Sequence, residues 1–267
     1  MINVIILSGK MHSGKDTFAD KLKLELEDRE DVVYKIAYAD STKSDIVRII
    51  KLILHGKKVE EVMNLMDIGF VYGYSMTQIF NYIKQDLSEN SELKSEFYSL
   101  NNKELQPKLK QFKHYRLIMQ TYGTEIRRNL DDKYWINKVL NKIHRISDDN
   151  IGKNVDVIVP DGRFKNEIKL GEDLDSSKYR VFTVRLEAPN NVIKDRIKND
   201  PNDHEEISKK TFSHSSETEL DNFEDFDFFV DTTDQDLVES TMKKLLDLTS
   251  PGLFKFVEPC FIRKSMF

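Results

Sequence analysis

A single cysteine, Cys260, stands in this chain of 267 residues. A lone thiol excludes an internal disulfide and any zinc site built on cysteines. The six histidines fall at no metal-binding spacing. Basic charge is not in excess: the net charge of −5 argues against general coating of nucleic acid, which needs a basic surface. Any phosphate chemistry must therefore rest on local clusters of Lys and Arg. No apolar run approaches the roughly 20 residues of a membrane helix. The opening shows no secretory n-region or h-region, because its first apolar run is short. A reducing, cytoplasmic setting is expected from these absences, without membrane or nucleic acid as a partner. No repeat and no low-complexity segment is evident.

The chain can fill a core, with 39% hydrophobic residues, and its 33% charged fraction implies long solvated helix faces. The length suits one α/β domain with insertions, or a domain and a small appendage.

Its organising stretch is Ser8-Gly9-Lys10-Met11-His12-Ser13-Gly14-Lys15-Asp16-Thr17. An apolar run, Val4-Ile5-Ile6-Leu7, precedes it as a buried parallel strand would. Phe18, Leu22 and Leu26 follow at helical spacing. Strand, glycine-rich turn and helix make the context of a phosphate-binding loop. Gly9 and Gly14 free the backbone to turn N–H groups on an anion, and the helix start adds its unpaired N–H groups. Gly9, His12, Ser13, Gly14, Lys15, Asp16 and Thr17 are accordingly the expected ATP-binding residues, with Lys15 on the terminal phosphates. Asp16 stands where a Ser or Thr hydroxyl is usual. Its carboxylate is a candidate magnesium ligand, directly or through water, or a simple complement to the helix dipole.

Further strands are expected at 32–37, 155–159, 179–186 and 226–230. A helix from Lys43 to about Leu54 is expected to be capped by Ser41 or Thr42. Residues 55–113 carry helical patterns and no strong strand, and read as a helical insertion. From Tyr115, an apolar stripe (Ile118, Met119, Tyr122, Ile126) faces one way. Arg116, Gln120, Gly123, Thr124 and Arg127 fall roughly on the opposite side, at the i, i+4, i+7 and i+11 positions of one line. Asn190 to Leu220 reads as a lid-like segment, in which Arg196, Lys209 and Lys210 belong to a closing lid or are plain solvated cations. The aromatic tail 251–267 reads as an extension packed on the body or on a second copy of the chain. Strands alternating with helices predict a doubly wound parallel sheet, with ligands beyond the carboxyl ends of its strands. The phosphate loop and Asp161-Gly162-Arg163 both lie at such ends.

Leu7 to Thr17, Arg116-Leu-Ile-Met-Gln-Thr-Tyr-Gly-Thr-Glu125, Tyr134-Trp135, Pro160-Asp-Gly-Arg-Phe-Lys-Asn-Glu167 and His214-Ser-Ser-Glu-Thr-Glu-Leu220 together resemble a phage-type deoxynucleoside monophosphate kinase. The blocks span most of the chain, and Asp at position 16 matches that family. The resemblance implies a P-loop kinase domain over 1–250, in which 190–220 is lid-like; the helical insertion at 55–113 and the tail after 250 have no counterpart in it. It also implies transfer of a phosphoryl group from ATP to a deoxynucleoside monophosphate, with Mg2+. Phosphoryl transfer is governed by positioning and charge neutralisation. Arginine suits the acceptor phosphate, because its planar fork grips oxygens and stays charged. The catalytic candidates are Lys15, Arg127, Asp161 and Arg163. The acceptor candidates are Lys43, Arg116, Gln120, Gly123, Thr124, Arg127, Trp135, Asp161, Arg163 and Glu167. Plainer roles stand beside these: Arg116 and Arg127 as solvated helix residues, Trp135 as core, and Ser216 with Glu219 as a capping box. Other readings of the whole are a kinase of another phosphorylated acceptor, of the dephospho-coenzyme A or phosphomevalonate type, and a nucleotide-gated regulatory module. A homodimer is compatible with all three.

Overall fold

The computed structural model describes residues 1–199 and 212–250. The C-terminal extension and most of the lid-like segment's centre, Lys209 and Lys210 included, lie outside them. The protein is α/β, with a five-stranded, all-parallel sheet in the order β2-β3-β1-β4-β5. The strands are β1 (Ile2–Ser8), β2 (Val32–Lys35), β3 (Val155–Gly162), β4 (Tyr179–Glu187) and β5 (Phe228–Asp231). All seven residues of β1 are buried, as a central parallel strand covered on both faces requires. Ile5 and Leu7 pack on one face with Ile158, Val184, Leu186 and Val230. Onto that face come Phe18, Ala19, Leu22 and Leu26 of α1 (Lys15–Asp28), and Met242 and Leu245 of the helix Gln235–Thr249. Val4 and Ile6, which alternate to the other face, are equally inaccessible.

β3 lies between β2 and β1, where a proline lacks the N–H that the ladder needs. The sheet accommodates Pro160 with a shift in register: Ile6 is opposite Val159, but Ser8 is opposite Gly162. The extra residue swings the end of β3 out of the regular ladder, at Asp161.

The chain forms two compact units. Among the described residues, one comprises 1–38, 136–199 and 217–250, and contains the sheet; the other comprises 39–135 and 212–216. The described part of the second unit is helical, with α2 (Tyr38–Leu54) entering it, α3 (Val59–Leu65), α4 (Gly73–Glu89), α5 (Ser91–Ser99), α6 (Asn102–Lys108) and α7 (Tyr115–Gln120). α7 runs directly into a π-helix, Thr121–Arg128. α8 (Tyr134–Asp149) leads back to the first unit. α2 starts five residues before the expected Lys43. Its first N–H, that of Tyr38, is satisfied by the Asp161 carboxylate at 2.9 Å, a cap supplied from across the fold rather than by Ser41 or Thr42. Among the described residues, no helix is long and apolar enough to cross a membrane.

Candidate active site

The loop between β1 and α1 is held from outside by its carbonyls. Arg163 Nη1 donates to Gly9 O (3.1 Å), Arg196 Nη1 to His12 O (2.8 Å) and Thr232 Oγ1 to Ser13 O (2.7 Å). A trans peptide sets C=O and N–H on opposite sides, so fixing the Ser13 carbonyl turns the Gly14 N–H the other way. His12 (φ 60°) and Gly14 (φ 92°) both take left-handed conformations, of the kind that curl successive N–H groups into an anion-binding nest. At Gly9 a Cβ would lie 2.4 Å from both Leu186 O and Ser13 Oγ, so no side chain fits there. The first intrahelical bond of α1 is Phe18 N–H to Gly14 O, and Gly14 contributes no side-chain cap. The N–H groups of Lys15, Asp16 and Thr17 therefore have no acceptor within the helix. Among the described residues, the buried Ser13 Oγ also has no hydrogen-bond partner.

Lys15 is 8% exposed, and its hydrogen bond to Lys10 O is long at 3.4 Å. Burial, then the Arg163 guanidinium, brings its pKa down to about 8, against the opposing pull of Asp16, Glu217 and Asp161. A buried ammonium in that condition is electrostatically under-compensated, and an incoming anion would restore its charge. Asp16, in the first turn of α1, is exposed.

The end of β3 is tied to the same loop. Arg163 Nη1, besides donating to Gly9 O, lies 2.7 Å from Glu217 Oε1. Glu217 Oε2 accepts the Met11 N–H at 2.9 Å. Glu167, buried, is occupied with the turn itself: its Oε2 accepts the N–H groups of Arg163 (2.8 Å) and Phe164 (3.2 Å). Tyr38 donates its hydroxyl to Glu167 O at 3.0 Å. Lys15, Asp16, Asp161, Arg163 and Glu167 thus share one unit and one network.

The other acceptor candidates lie in the helical unit. Arg116 is half-buried on α7, Thr124 is half-buried on the π-helix, and Lys43 lies 3.8 Å from Asp40. Gln120 Nε2 is 3.5 Å from Ser216 Oγ. The single line through Arg116 and Arg127 does not survive, because π-turns close i to i+5 and rotate later residues off an α-helical stripe. Arg127 is turned inward instead, 7% exposed. Its Nε donates to the Tyr122 hydroxyl at 2.9 Å, and its Nη groups donate to the carbonyls of Met66 and Asp67. The Tyr122 hydroxyl in turn donates to Asp45 at 2.9 Å. Burial, with Asp45 beside it, raises the Tyr122 pKa, so this phenol stays neutral. The guanidinium also sits over the rings of Tyr122 and Tyr134. Trp135 is buried, and its indole N–H donates to Gly123 O at 2.8 Å. Both residues hold the helical unit together, and neither presents an open face to a ligand.

The sequence matches no family model and no curated protein. Among solved structures, one described as "Crystal structure of APE1195" is 14% identical, with 92% of this chain and 94% of that one aligned at a TM-score of 0.38. A likeness that distant carries no argument about activity.

Three residues beside the loop are not among the candidates read from the sequence, and only Glu217 lies in a stretch that the sequence marks. Arg185 on β4, 5% exposed, donates to Ser8 Oγ at 3.0 Å. Asp221 accepts from Lys10 Nζ at 2.8 Å and lies 3.7 Å from Arg185. Glu217, in the string His214 to Leu220, is the third. Arg196, in the lid-like segment, donates from its guanidinium to the loop carbonyl of His12.

Proposed function

We propose that the protein is a kinase that transfers the terminal phosphoryl group of ATP to a deoxynucleoside monophosphate. The observation that carries this reading is the buried, under-compensated Lys15 at an uncapped helix start, with Arg163 fixed to the same loop. Helix N–H groups and Lys15 suit the donor phosphates. Arg163 suits a second anion, because a cation held beside the loop offsets the repulsion between donor and acceptor. In the transfer, an acceptor phosphate oxygen attacks the terminal phosphorus, the bond to the bridging oxygen breaks, and ADP leaves. Lys15 stabilises the charge that moves onto the bridging and terminal oxygens.

Magnesium fits the residues present. Among the described residues, no cluster of three or more His, Cys, Asp or Glu could hold a metal. Magnesium is held chiefly by phosphate oxygens and water, with one or two carboxylates, so its fit here rests on individual carboxylates beside the loop. Asp16, exposed in the first turn of α1, and Asp161, whose charge also acts on Lys15, are the carboxylates that would hold it. When bound, the ion would neutralise phosphate charge. Arg116 remains an acceptor candidate by residue type, whereas Arg127 is committed to Tyr122, Met66 and Asp67.

The test is ADP release with ATP alone, and then with each nucleoside monophosphate in ribo and deoxy forms. Deoxynucleoside monophosphate-dependent release of ADP, with the matching diphosphate as product, is expected. A slow rate that no monophosphate changes would refute the kinase and favour the regulatory module.

A further inference from the structure

The phosphate loop and the turn after β3 are joined by one carboxylate. Glu217 lies on the short helix Ser215–Thr218 and is only 7% exposed. Its Oε2 accepts the Met11 N–H of the loop at 2.9 Å, and its Oε1 is 2.7 Å from Arg163 Nη1. The same guanidinium nitrogen donates to Gly9 O at 3.1 Å. Glu217, Arg163 and the loop backbone therefore close a ring that runs from Gly9 through Arg163 and Glu217 to Met11. Two neighbouring carboxylates brace this arrangement. Glu219 accepts the Lys165 N–H at 3.0 Å, and Asp221 accepts from Lys10 Nζ at 2.8 Å.

We infer that Glu217 is a positioning residue for the phosphoryl transfer proposed above, on which this inference rests. It orients the Arg163 guanidinium and fixes the loop at Met11, so that the acceptor-side cation and the donor-side cradle keep a set separation. An arginine has many rotamers, and a side chain with two anchors, Glu217 and Gly9 O, loses that freedom before substrate arrives. A carboxylate suits this task better than an amide. Both of its oxygens accept, one for the loop N–H and one for the guanidinium. A glutamine would turn its NH2 toward one of those two donors.

The test measures Glu217→Gln and Glu217→Asp by steady-state ADP release, with thermal unfolding alongside. Glu217→Gln is expected to lower kcat on the order of 10- to 100-fold through misplacement of Arg163. KM for ATP should stay within about threefold, since uniform donor binding is untouched. Glu217→Asp should recover part of the loss. The double variant with Arg163→Ala should be no worse than Arg163→Ala alone, because the two side chains act as one. A folded Glu217→Gln with normal kcat, a loss confined to ATP affinity, or losses that multiply in the double variant would each overturn the inference and leave the kinase reading standing. If Glu217→Gln does not fold, Glu217→Asp carries the same comparison with Arg163→Ala. Wild-type protein that responds to no monophosphate would end both readings together.

Discussion

Lys15→Met should abolish phosphoryl transfer and, at neutral pH, make the protein more stable. The free lysine has an ordinary pKa of 10.5, and in the fold it falls to about 8. At roughly 1.36 kcal/mol per pH unit, that fall corresponds to about 3 kcal/mol of charge burial. The sign follows from proton counting. Between pH 8 and 10.5 the unfolded chain holds the Lys15 proton more tightly than the folded one, so wild-type stability gains across that window. Below pH 8 both states are protonated and the folded state carries the whole burden. Methionine has similar length and no charge, and gives up only the long bond to Lys10 O. The variant's advantage should therefore be largest, up to about 3 kcal/mol or roughly 6–12 °C in Tm, at pH 7. It should shrink steadily toward pH 10.5. Every other titrating group is common to both proteins, so the difference between their pH profiles isolates Lys15. Thermal and chemical unfolding of both proteins from pH 6.5 to 10 would measure it. A variant less stable than wild type at pH 7, or an advantage that does not change with pH, would refute the reasoning.

Three further outcomes can be checked with purified variants. Gly9→Ala forces a methyl to 2.4 Å from the backbone oxygen Leu186 O, so it should lose ATP binding and about 1–3 kcal/mol of stability; a variant titrating with ATP normally by calorimetry contradicts the close approach. Arg127→Ala strands the carbonyls of Met66 and Asp67 and removes the bond that the Tyr122 hydroxyl accepts, leaving it only its bond to Asp45, and should cost about 2–5 kcal/mol in denaturant unfolding; a loss seen only in acceptor KM, with stability intact, would instead return Arg127 to the substrate. Asp156 is wholly buried, its Oδ1 accepting from Asn3 Nδ2 and its Oδ2 lacking a hydrogen bond. Burial raises its pKa above the ordinary aspartate value, so it erodes stability as pH rises from that value through the raised one. Asp156→Asn should flatten that part of the profile, and an unchanged slope counts against it.

The residues read well from sequence are those whose role is fixed by their immediate neighbours. The five strands were visible because a buried parallel strand is a short apolar run and little else. Gly9 and Gly14 were visible because a tight turn between a buried strand and a helix calls for glycine, and the fold bears this out with a close backbone approach at Gly9 and a left-handed conformation at Gly14. Arg127 was not, for a definite reason: the apolar spacing through Ile118, Tyr122 and Ile126 reads as an α-helix, and the wider π-turn leaves no mark in that spacing. Eleven residues from Arg116, a modest change per turn moves a side chain from an outer face to the interior. Trp135 was open between core and platform, since an indole serves both, and its bond to Gly123 O decides for the core.

Charge partners were the least legible, and the string His214 to Leu220 shows why. A local reading pairs Ser216 with Glu219 as a capping box. In the fold the Ser216 hydroxyl lies 2.9 Å from His214 Nδ1, and Glu219 accepts the Lys165 N–H, 54 positions away. Glu217, between them, reaches back 206 positions to Met11. Three carboxylates at alternate positions (Glu217, Glu219 and Asp221) look like one solvated acidic face. Only the sheet order, which brings β1, β3 and β4 side by side, gives each a different donor. A carboxylate's partner is therefore a property of the topology, and such a residue becomes a functional candidate only after the strands that carry its partner have been placed.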